Sequence, residues 1–443
     1  MNKLLIIVFS LLCAVLMFSA GQSVLHFSSR VYLSSLAIQV FSIIQIFNQR
    51  SIPFSLKKIF YLFSLFFFGI SPVLQFYHRT ALFGAREITE NEYFYFNLLI
   101  FFILILFQLL YTQFQKLRLT KNDMRISRIF SIHGKPDIKQ VLTLIAFSLL
   151  SFFLVFKANS FSFFSLLIRG GEMKELSSNS STTTLIIFRF FQPISMMCLL
   201  YYISSKSKNF LVYFILTLLT LLTCFPLSMA RFAAAAMYIP LMLLIFPFFK
   251  KKNVFSLVFI LGLLVVFPFL NNFRYFGSSE FKYGFNFEMF TEGHFDSYQN
   301  FALIVFDNII TGGRQLLGVF FFWVPRSIWP AKPIGSGAFI ADKMGFFFDN
   351  VSCNYFAEGY INFGFFGILL FIFLLAFFTA KMDKLYWKVI SNDKNNFFKV
   401  IYFVLLGMLF FMLRGDLMSS FAYTVGFILA ILIVNKIGSL KVK

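Results

Sequence analysis

Long apolar runs recur along the whole of this 443-residue chain, and they constrain its fold more than any other feature. Each run, at roughly 17 to 22 residues, is long enough to cross the apolar layer of a bilayer as a helix. Because 59% of the residues are hydrophobic and only 13% are charged, no water-soluble domain accounts for the chain. We therefore expect an all-α, polytopic integral membrane protein that forms one domain over residues 1–443.

Twelve membrane spans are predicted, and the distribution of Lys and Arg indicates on which side of the membrane each connecting segment lies. With the N-terminus in the cytoplasm, the inside segments hold 24 of the 39 Lys and Arg residues, as the positive-inside bias requires. Both termini are then cytoplasmic, and the main outer loops cover residues 158–184 and 271–358. The predicted spans are residues 4–20, 31–47, 59–76, 94–113, 140–157, 185–203, 209–226, 232–249, 253–270, 359–380, 400–413 and 417–435.

The cations assigned to the outer side differ in kind from those assigned to the inner side. Outside, ten of fifteen are Arg, whereas only four of the 24 inside are Arg. Since a guanidinium grips phosphate or carboxylate with two hydrogen bonds, this enrichment favours an anionic ligand at the outer face. Chance and outward-facing ion pairs are the alternatives. The net charge of +21 is explained by membrane orientation, so no nucleic-acid partner is expected.

The segment WVPRSIWPAKP, residues 323–333, stands out within the long outer loop. We call it the tryptophan–proline segment. Its prolines stiffen the chain, Trp323 and Trp329 are typical anchors at headgroup depth, and Arg326 and Lys332 are expected to face lipid phosphates. The neighbouring stretches FALIVFDNII and LLGVFFFWV are expected to form short helices in the membrane interface, with a re-entrant pair over 300–325 as the alternative.

Two cations stand at predicted outer helix ends. Arg231 begins a helix in PLSMARFAAAAMYIPL, where a cation is unfavourable unless an anion binds beside it. In FMLRGDLMSSF, Arg414 ends one helix and Asp416 begins the next. Asp416 could serve as an N-cap and Arg414 could pair with it, or both could contact substrate.

The inventory of reactive groups favours group transfer without a metal or cofactor. The histidines are scattered, and no outer loop carries paired aspartates at metal-binding spacing. What remains is a set of arginines with two carboxylates near the membrane, Glu358 and Asp416, and with His294 and Glu292 behind them. Such groups suit transfer away from a lipid-borne pyrophosphate, with Arg stabilising the leaving phosphate and a carboxylate accepting a proton.

At these residues the chain resembles the Wzy-type O-antigen, or oligosaccharide repeat-unit, polymerases. The resemblance rests on SMARFAAAAMYIPL, FFWVPRSIWPAKP, CNYFAEGYINFGFFGILL and LRGDLMSSF, in that order over residues 160 to 435. Some members carry Gly eleven residues after Arg; Arg326 and Gly337 have this spacing, whereas Ser180 stands at the matching position after Arg169.

The resemblance implies a GT-C-like fold and a site on the periplasmic face of a bacterial inner membrane. The growing glycan would move from undecaprenyl pyrophosphate onto the non-reducing end of an incoming lipid-linked repeat unit, in O-antigen or capsule biosynthesis. Implied partners are undecaprenyl-pyrophosphate-linked oligosaccharides, membrane lipids, and a chain-length regulator and flippase of the same pathway. The catalytic candidates are Glu358, Asp416, Arg231 and Arg414, and the substrate-binding candidates are Arg169, Arg189, Arg274, Arg326, Lys332 and Trp329.

Two alternatives use similar layouts. An O-antigen ligase would take the same donor and rely on a loop histidine, for which His294 is available. A lipid-linked oligosaccharide flippase is the non-enzyme alternative, although its cations should line the spans rather than gather in an 88-residue outer segment.

Overall fold

A computed structural model describes residues 2–22, 27–48, 52–132, 134–167, 182–205, 207, 209–266, 287–391, 393 and 395–439. Within these residues the secondary structure is helical, apart from one isolated bridge between Ser131 and Asn396. The helices, numbered in chain order, are α1 (Asn2–Gln22), α2 (Ser29–Asn48), α3 (Leu56–Tyr77), α4 (Glu90–Lys116), α5 (Lys121–Ile129), α6 (Ile138–Ala158), α7 (Phe163–Leu167), α8 (Thr184–Ser204), α9 (Phe210–Thr223), α10 (Arg231–Ile245), α11 (Val254–Val265), α12 (Ser297–Phe306), α13 (Arg314–Phe320), α14 (Ser336–Met344), α15 (Tyr355–Leu385), α16 (Phe398–Arg414) and α17 (Leu417–Ser439).

The helices coincide with the predicted spans, and the chain is a polytopic membrane protein. Eight helices among the described residues are long and apolar enough to cross a membrane: α1, α2, α3, α4, α6, α8, α15 and α17. Three of the other predicted spans fall on α9, α10 and α11, which are shorter apolar helices, and the fourth falls on the 17-residue α16. A 14-residue helix such as α9 rises only about 21 Å, less than the roughly 30 Å apolar layer. The count of twelve spans therefore stays a prediction.

The apolar side chains divide between one shared core and an outward surface. Most buried apolar residues from α1 to α17 form one contiguous cluster, which is rich in phenylalanine, and Val155, Leu166 and Ile187 form a second, small cluster. Other large apolar side chains face outward, including Leu4 of α1 and Phe366 of α15, which are 63% and 68% exposed. Such a surface is stable only against lipid, because exposed apolar area of this extent in water would drive association.

Helix α15 is broken near its start. Phe363 and Gly364 leave helical geometry, and Gly364 adopts φ +61° and ψ −147°, a conformation that a side chain would strain. The carbonyl groups that the break releases find other partners: the Asn362 side chain donates to the Glu358 carbonyl, and Thr311 donates to the Ile361 carbonyl. The break thus joins the first turns of α15 to the turn before α13.

Helix α12 corrects one expectation. FALIVFDNII was expected to lie in the membrane interface, yet every residue of α12 from Ser297 to Ile304 is buried inside the protein. Tyr298 stacks on Tyr93 of α4 at 5.5 Å between ring centroids and donates to the Asn97 side chain at 2.8 Å. Helix α13, in contrast, carries outward-facing apolar side chains. The re-entrant alternative for residues 300–325 stays a prediction.

A buried carboxylate ties four helices together at the opposite end of α15. Asp383 accepts hydrogen bonds from the Leu56 and Lys57 amides at the start of α3, at 2.8 and 3.2 Å. It also accepts from the hydroxyls of Tyr111 in α4 and Tyr402 in α16, at 2.8 and 2.6 Å. The carboxylate therefore satisfies backbone donors that every helix N-terminus leaves open.

We predict that Asp383→Ala lowers the free energy of unfolding by at least about 3 kcal/mol, because each buried donor left without a partner costs about 1–3 kcal/mol. Asp137→Ala is the matched control, since Asp137 is an exposed N-cap of α6. Its loss should cost only about 1 kcal/mol. Unfolding in mixed detergent micelles measures both, and equal losses would contradict the role assigned to Asp383.

Candidate functional site

The first turn of α17 holds a buried carboxylate. The Leu417 amide donates to Glu358 Oε1 at 2.8 Å, and the Ser336 hydroxyl donates to Glu358 Oε2 at 2.9 Å. Glu358 is fully buried. The unpaired amide at the helix start supplies one of the donors that a buried carboxyl group needs. Three separate elements, α14, α15 and α17, therefore meet at one side chain.

Asp416 stands immediately before α17 and is its N-cap. Its Oδ1 accepts from the Ser419 amide at 3.0 Å, which is the capping interaction that Asp favours. The side chain is only half-buried, and it lies against the backbone of Gly335. A Cβ built on Gly335 would stand 3.3 Å from both Asp416 carboxylate oxygens. The segment 332–336 thus lies along the start of α17.

Arg414 pairs with an acid that the sequence did not single out. Its Nη2 lies 3.6 Å from Asp296 Oδ1, and its Nε donates to the His294 carbonyl at 2.9 Å. The expected alternative, a pair with Asp416, is therefore replaced by a pair with Asp296. The Arg414 side chain keeps 33% of its surface exposed, whereas Asp296 keeps 1%.

Asp296 is held from several directions. The Ser352 amide and hydroxyl donate to its two carboxylate oxygens at 2.7 and 2.6 Å, and Asn300 donates at 3.2 Å. These bonds fix the carboxylate without help from Arg414. Asp296 consequently acts as a rigid support beside the guanidinium, which it attracts as a charge pair at 3.6 Å.

The three carboxyl groups converge on one buried thiol. Burial raises the pKa of the Cys353 thiol well above its usual value, and the nearby Glu358, Asp416 and Asp296 raise that pKa further. Burial and nearby negative charge both disfavour a thiolate, the form that a nucleophilic cysteine needs. Among the described residues, no group of three or more His, Cys, Asp or Glu side chains could hold a metal ion.

Hydrogen bonds from two of its own cationic side chains to backbone carbonyls stabilise the tryptophan–proline segment. Arg326 donates to the carbonyls of Lys332 and Pro333 at 2.7 and 3.2 Å. The Lys332 ammonium donates to the carbonyls of Phe322 and Val324 at 2.6 and 2.9 Å. Both cations were expected to face lipid phosphates, and that expectation stays a prediction. The structure adds a backbone role, in which part of their hydrogen-bonding capacity stabilises the segment itself.

The same segment collects positive charge beside α17. The pKa of the Lys332 ammonium is lowered by burial and then by the neighbouring cations Arg326 and Arg189. Trp323 is 68% exposed, whereas Trp329 is half-buried with its ring 6.4 Å from Phe321. Repulsion among the three cations costs free energy that a bound anion would remove.

Arg189 lies in a π-helical turn, Ile187–Phe191, within α8. Such turns widen the helix locally and often occur at functional sites. The guanidinium stands over the Tyr423 ring of α17 at 5.2 Å, and its Nε is buried without a hydrogen-bond partner among the described residues. Gly426 allows this approach, because a Cβ there would stand 2.1 Å from the Arg189 carbonyl oxygen.

Arg231 is the first residue of α10, and Ala230 before it supplies no side-chain cap. The next residue, Phe232, stacks on Phe411 of α16 at 3.6 Å and meets the Tyr423 ring at 4.9 Å. The helix start that carries Arg231 therefore packs beside the same tyrosine that Arg189 covers.

A cavity of about 460 Å³ lies between the turn before α13 and the end of the tryptophan–proline segment. Two hydrogen bonds connect its wall to the helix turn that carries Glu358. Next to the lining residue Gln315, the Leu316 amide donates to the Asn362 side chain at 2.8 Å, and Asn362 donates to the Glu358 carbonyl. The cavity is lined by Thr311, Arg314, Gln315, Lys332, Pro333, Ile334 and Phe339.

The structure thus brings four of the predicted site residues, Glu358, Arg414, Asp416 and Arg189, to the first two turns of α17 or to the residues just before it. Arg169 and Arg274 lie outside the described residues. Sequence reasoning did not single out Asp296, although it stands two residues after His294, because its pairing with Arg414 spans more than a hundred residues. It also passed over Arg314 and Gln315, for which TGGRQ was the only local signal.

Residues 351–440 match the family model described as O-antigen polysaccharide polymerase Wzy. This segment carries Glu358, Arg414 and Asp416, and it confirms the resemblance for that part of the chain. The match covers roughly a fifth of the 443 residues, so the resemblance of residues 160 to 350 stays a prediction. No curated protein and no solved structure matches the chain.

We predict that Gly337→Ala weakens the site by displacing α14. A Cβ at this position would stand 2.1 Å from the Val351 carbonyl oxygen, so the helix that carries Ser336 must move. Overpacking of this kind costs about 1–3 kcal/mol. Gly262→Ala is the control, because Gly262 is helical with nothing within 4 Å, and it should be neutral or stabilising. Equal thermal midpoints in detergent for the two variants would contradict the prediction.

Proposed function

We propose that this chain, whose residues 351–440 match the O-antigen polysaccharide polymerase Wzy family, polymerises lipid-linked oligosaccharide repeat units. The family implies glycan polymerisation. The observation that carries the proposal is the meeting of Arg414, Asp416 and Glu358 at the start of α17, inside the matched segment. The donor is a glycan on undecaprenyl pyrophosphate, and the acceptor is a single repeat unit on a second undecaprenyl pyrophosphate.

The proposed reaction exchanges one bond at the anomeric carbon for another. A hydroxyl on the non-reducing sugar of the incoming unit attacks the anomeric carbon that joins the glycan to its lipid. The bond from that carbon to the phosphate oxygen breaks, and undecaprenyl pyrophosphate leaves with the electron pair. The hydroxyl proton passes to a carboxylate. The glycan is transferred whole and becomes one unit longer at its reducing end.

Among the three carboxylates, Asp416 is the one we assign as general base. Glu358 is fully buried and Asp296 nearly so, and both are engaged by donors that fix them in place. Asp416 is half-buried, and its N-cap bond uses only one carboxylate oxygen. A base must come within hydrogen-bond reach of the substrate proton, so exposure favours Asp416. Glu358 is a positioning residue that holds α14 against α17.

Arg414 is assigned to the leaving pyrophosphate. Its Nε is bound to the His294 carbonyl, and the 3.6 Å separation from Asp296 is a charge pair longer than a hydrogen bond. The exposed part of the guanidinium can therefore donate to a phosphate oxygen, while Asp296 keeps the group in place. Removing one donor of this kind typically lowers the rate by about 10²- to 10³-fold.

The second cationic group is proposed to hold the other lipid pyrophosphate. Arg189 and Arg326 both lie near enough to the Lys332 ammonium to repel it. A guanidinium has five N–H donors and an ammonium has three, so the backbone bonds of Arg326 and Lys332 leave donors for phosphate. Trp329 would pack on the lipid, and Arg231 would act from the start of α10. Roles for Arg169 and Arg274 rest on the sequence resemblance.

The proposed setting is the bacterial inner membrane, with the site on the periplasmic face and both termini in the cytoplasm. The distribution of Lys supports this orientation, since the inside segments carry twenty of the chain's lysines. A flippase and a chain-length regulator of the same pathway would supply substrate and limit product. No metal or other cofactor is part of the proposed step.

We predict that Asp416→Asn folds normally yet lowers kcat by about 10²- to 10⁴-fold, because Asn caps a helix as well as Asp does but cannot accept a proton. Asp416→Ala is the companion variant, which loses both the cap and the base and should melt at a lower temperature. Polymer formation from purified lipid-linked repeat unit measures the rate. Long glycan chains made by Asp416→Asn at the wild-type rate would exclude Asp416 as the base.

We predict that cells with Arg414→Ala in place of the wild-type protein carry surface lipid with one repeat unit, while the protein stays inserted. The cause is loss of charge stabilisation on the leaving phosphate. Electrophoresis of surface glycolipid separates the outcomes. Lipid A–core that carries no repeat unit would instead indicate one of the two alternatives, the O-antigen ligase that uses His294 or the flippase. Chains of normal length would contradict the site assignment.

A further inference from the structure

The cavity between α13 and the tryptophan–proline segment has the size and lining of a ligand site. Its volume of about 460 Å³ falls within the roughly 300–1,000 Å³ that small-molecule sites occupy. Pro333, Ile334 and Phe339 form an apolar wall, while Arg314, Lys332 and Gln315 supply polar groups. A pocket with this division suits a molecule that has both an apolar face and several polar edges.

Gln315 is the most unusual member of the lining. The residue is 3% exposed, and its side-chain carbonyl oxygen has no hydrogen-bond partner among the described residues. A buried acceptor without a donor costs about 1–3 kcal/mol, so such groups are rare unless they serve a purpose. Gln315 lines the cavity, so a ligand there lies next to its terminal amide, whose last torsion is soft.

Two cations flank the same space. The one side-chain hydrogen bond described for Arg314 runs from Nη2 to the Ala331 carbonyl at 3.4 Å, and the side chain is exposed. Lys332 gives two of its three protons to backbone carbonyls. Both groups therefore retain donors for an anion at the edge of the cavity.

The cavity is also close to the proposed reaction centre. Lys332 and Ser336 are four residues apart, so their Cα atoms are separated by at most about 14 Å. Ser336 donates to Glu358, and Gly335 lies against Asp416. A pyrophosphate at Lys332 and Arg314 would thus extend its first sugar into the cavity rather than away from the carboxylates.

We propose that this cavity is a sugar subsite, in which the ring next to the lipid pyrophosphate donates a hydroxyl or acetamido hydrogen bond to Gln315. Arg314 and Lys332 hold the adjoining phosphate, and Phe339 packs on the apolar face of the ring. This subsite rests on the proposed function and deepens it, because it makes the protein select lipids that carry a sugar. A bare lipid pyrophosphate would satisfy the cations and leave Gln315 without a donor.

The test compares two lipids on the full chain in nanodiscs: undecaprenyl pyrophosphate, and the same lipid bearing one repeat unit of the source strain. The wild type should bind the sugar-bearing lipid about tenfold more tightly, which is the effect of one buried hydrogen bond. Gln315→Met keeps the side-chain volume but lacks the acceptor, so its preference should fall to about twofold or less. Arg314→Ala should weaken binding of both lipids.

A stability measurement separates binding from a structural role. Ligand-free Gln315→Met should melt at or above the wild-type temperature, because the substitution removes an unpartnered buried acceptor. Gln39→Met is the control: Gln39 is buried with an unpartnered carbonyl oxygen, but its amide donates to Gly69 and it does not line the cavity. That variant should melt lower and keep the wild-type preference between the lipids.

Two results would overturn the subsite: an unchanged lipid preference in Gln315→Met, or a lower melting temperature with both lipids bound more weakly. Polymerisation by the wild type, assayed on the same preparation, reports separately on the proposed function. A wild type that prefers the sugar-bearing lipid but makes no polymer would refute the polymerase while supporting the subsite. A wild type that makes polymer but binds both lipids equally would support the polymerase and refute the subsite.

Discussion

The hydrogen bond from the Leu417 amide to the buried Glu358 carboxylate is the contact on which the rest of the site depends. It joins residues 59 positions apart, and the second carboxylate oxygen binds Ser336, which belongs to a third element. A helix N-terminus offers unpaired amides, and a fully buried carboxylate needs donors, so each group satisfies the other. Because the contact fixes α14 and α15 against α17, it also sets where Asp416 and the segment 332–336 lie.

Charge is distributed around this contact in two parts. Asp296, Glu358 and Asp416 form the acidic part, and the support that Asp296 gives to Arg414 keeps one cation among them. Arg189, Arg326 and Lys332 form the basic part, which carries mutual repulsion. A reaction that takes a proton and releases a pyrophosphate needs both kinds of charge within one substrate's length. The break in α15 joins the helix that carries Glu358 to the turn before α13, which adjoins the basic part.

The sequence predicted the helices well because the membrane imposes length and hydropathy on each span. It also led to Glu358, Arg414 and Asp416, since charged residues beside long apolar runs are conspicuous. It could not predict α12, because an apolar stretch interrupted by Asp307 is equally compatible with an interfacial helix and with a buried one. Nor could it predict that backbone carbonyls bind Arg326 and Lys332, or that Arg414 pairs with Asp296. Those partners depend on tertiary packing, which leaves no local pattern.

The central claim, that the end of the tryptophan–proline segment docks on the start of α17, can be tested by cross-linking in native membranes. The Cβ of a cysteine at Gly335 would lie 3.4 Å from the Asp416 Cγ, within disulfide reach, and Gly335 has a backbone conformation that cysteine tolerates. Mild oxidation of Gly335→Cys/Asp416→Cys should form the cross-link rapidly. The pair Gly345→Cys/Asp416→Cys, whose first position ends α14 with nothing within 4 Å, should not. Absence of a cross-link between 335 and 416, or equal rates for the two pairs, would contradict this arrangement of the site.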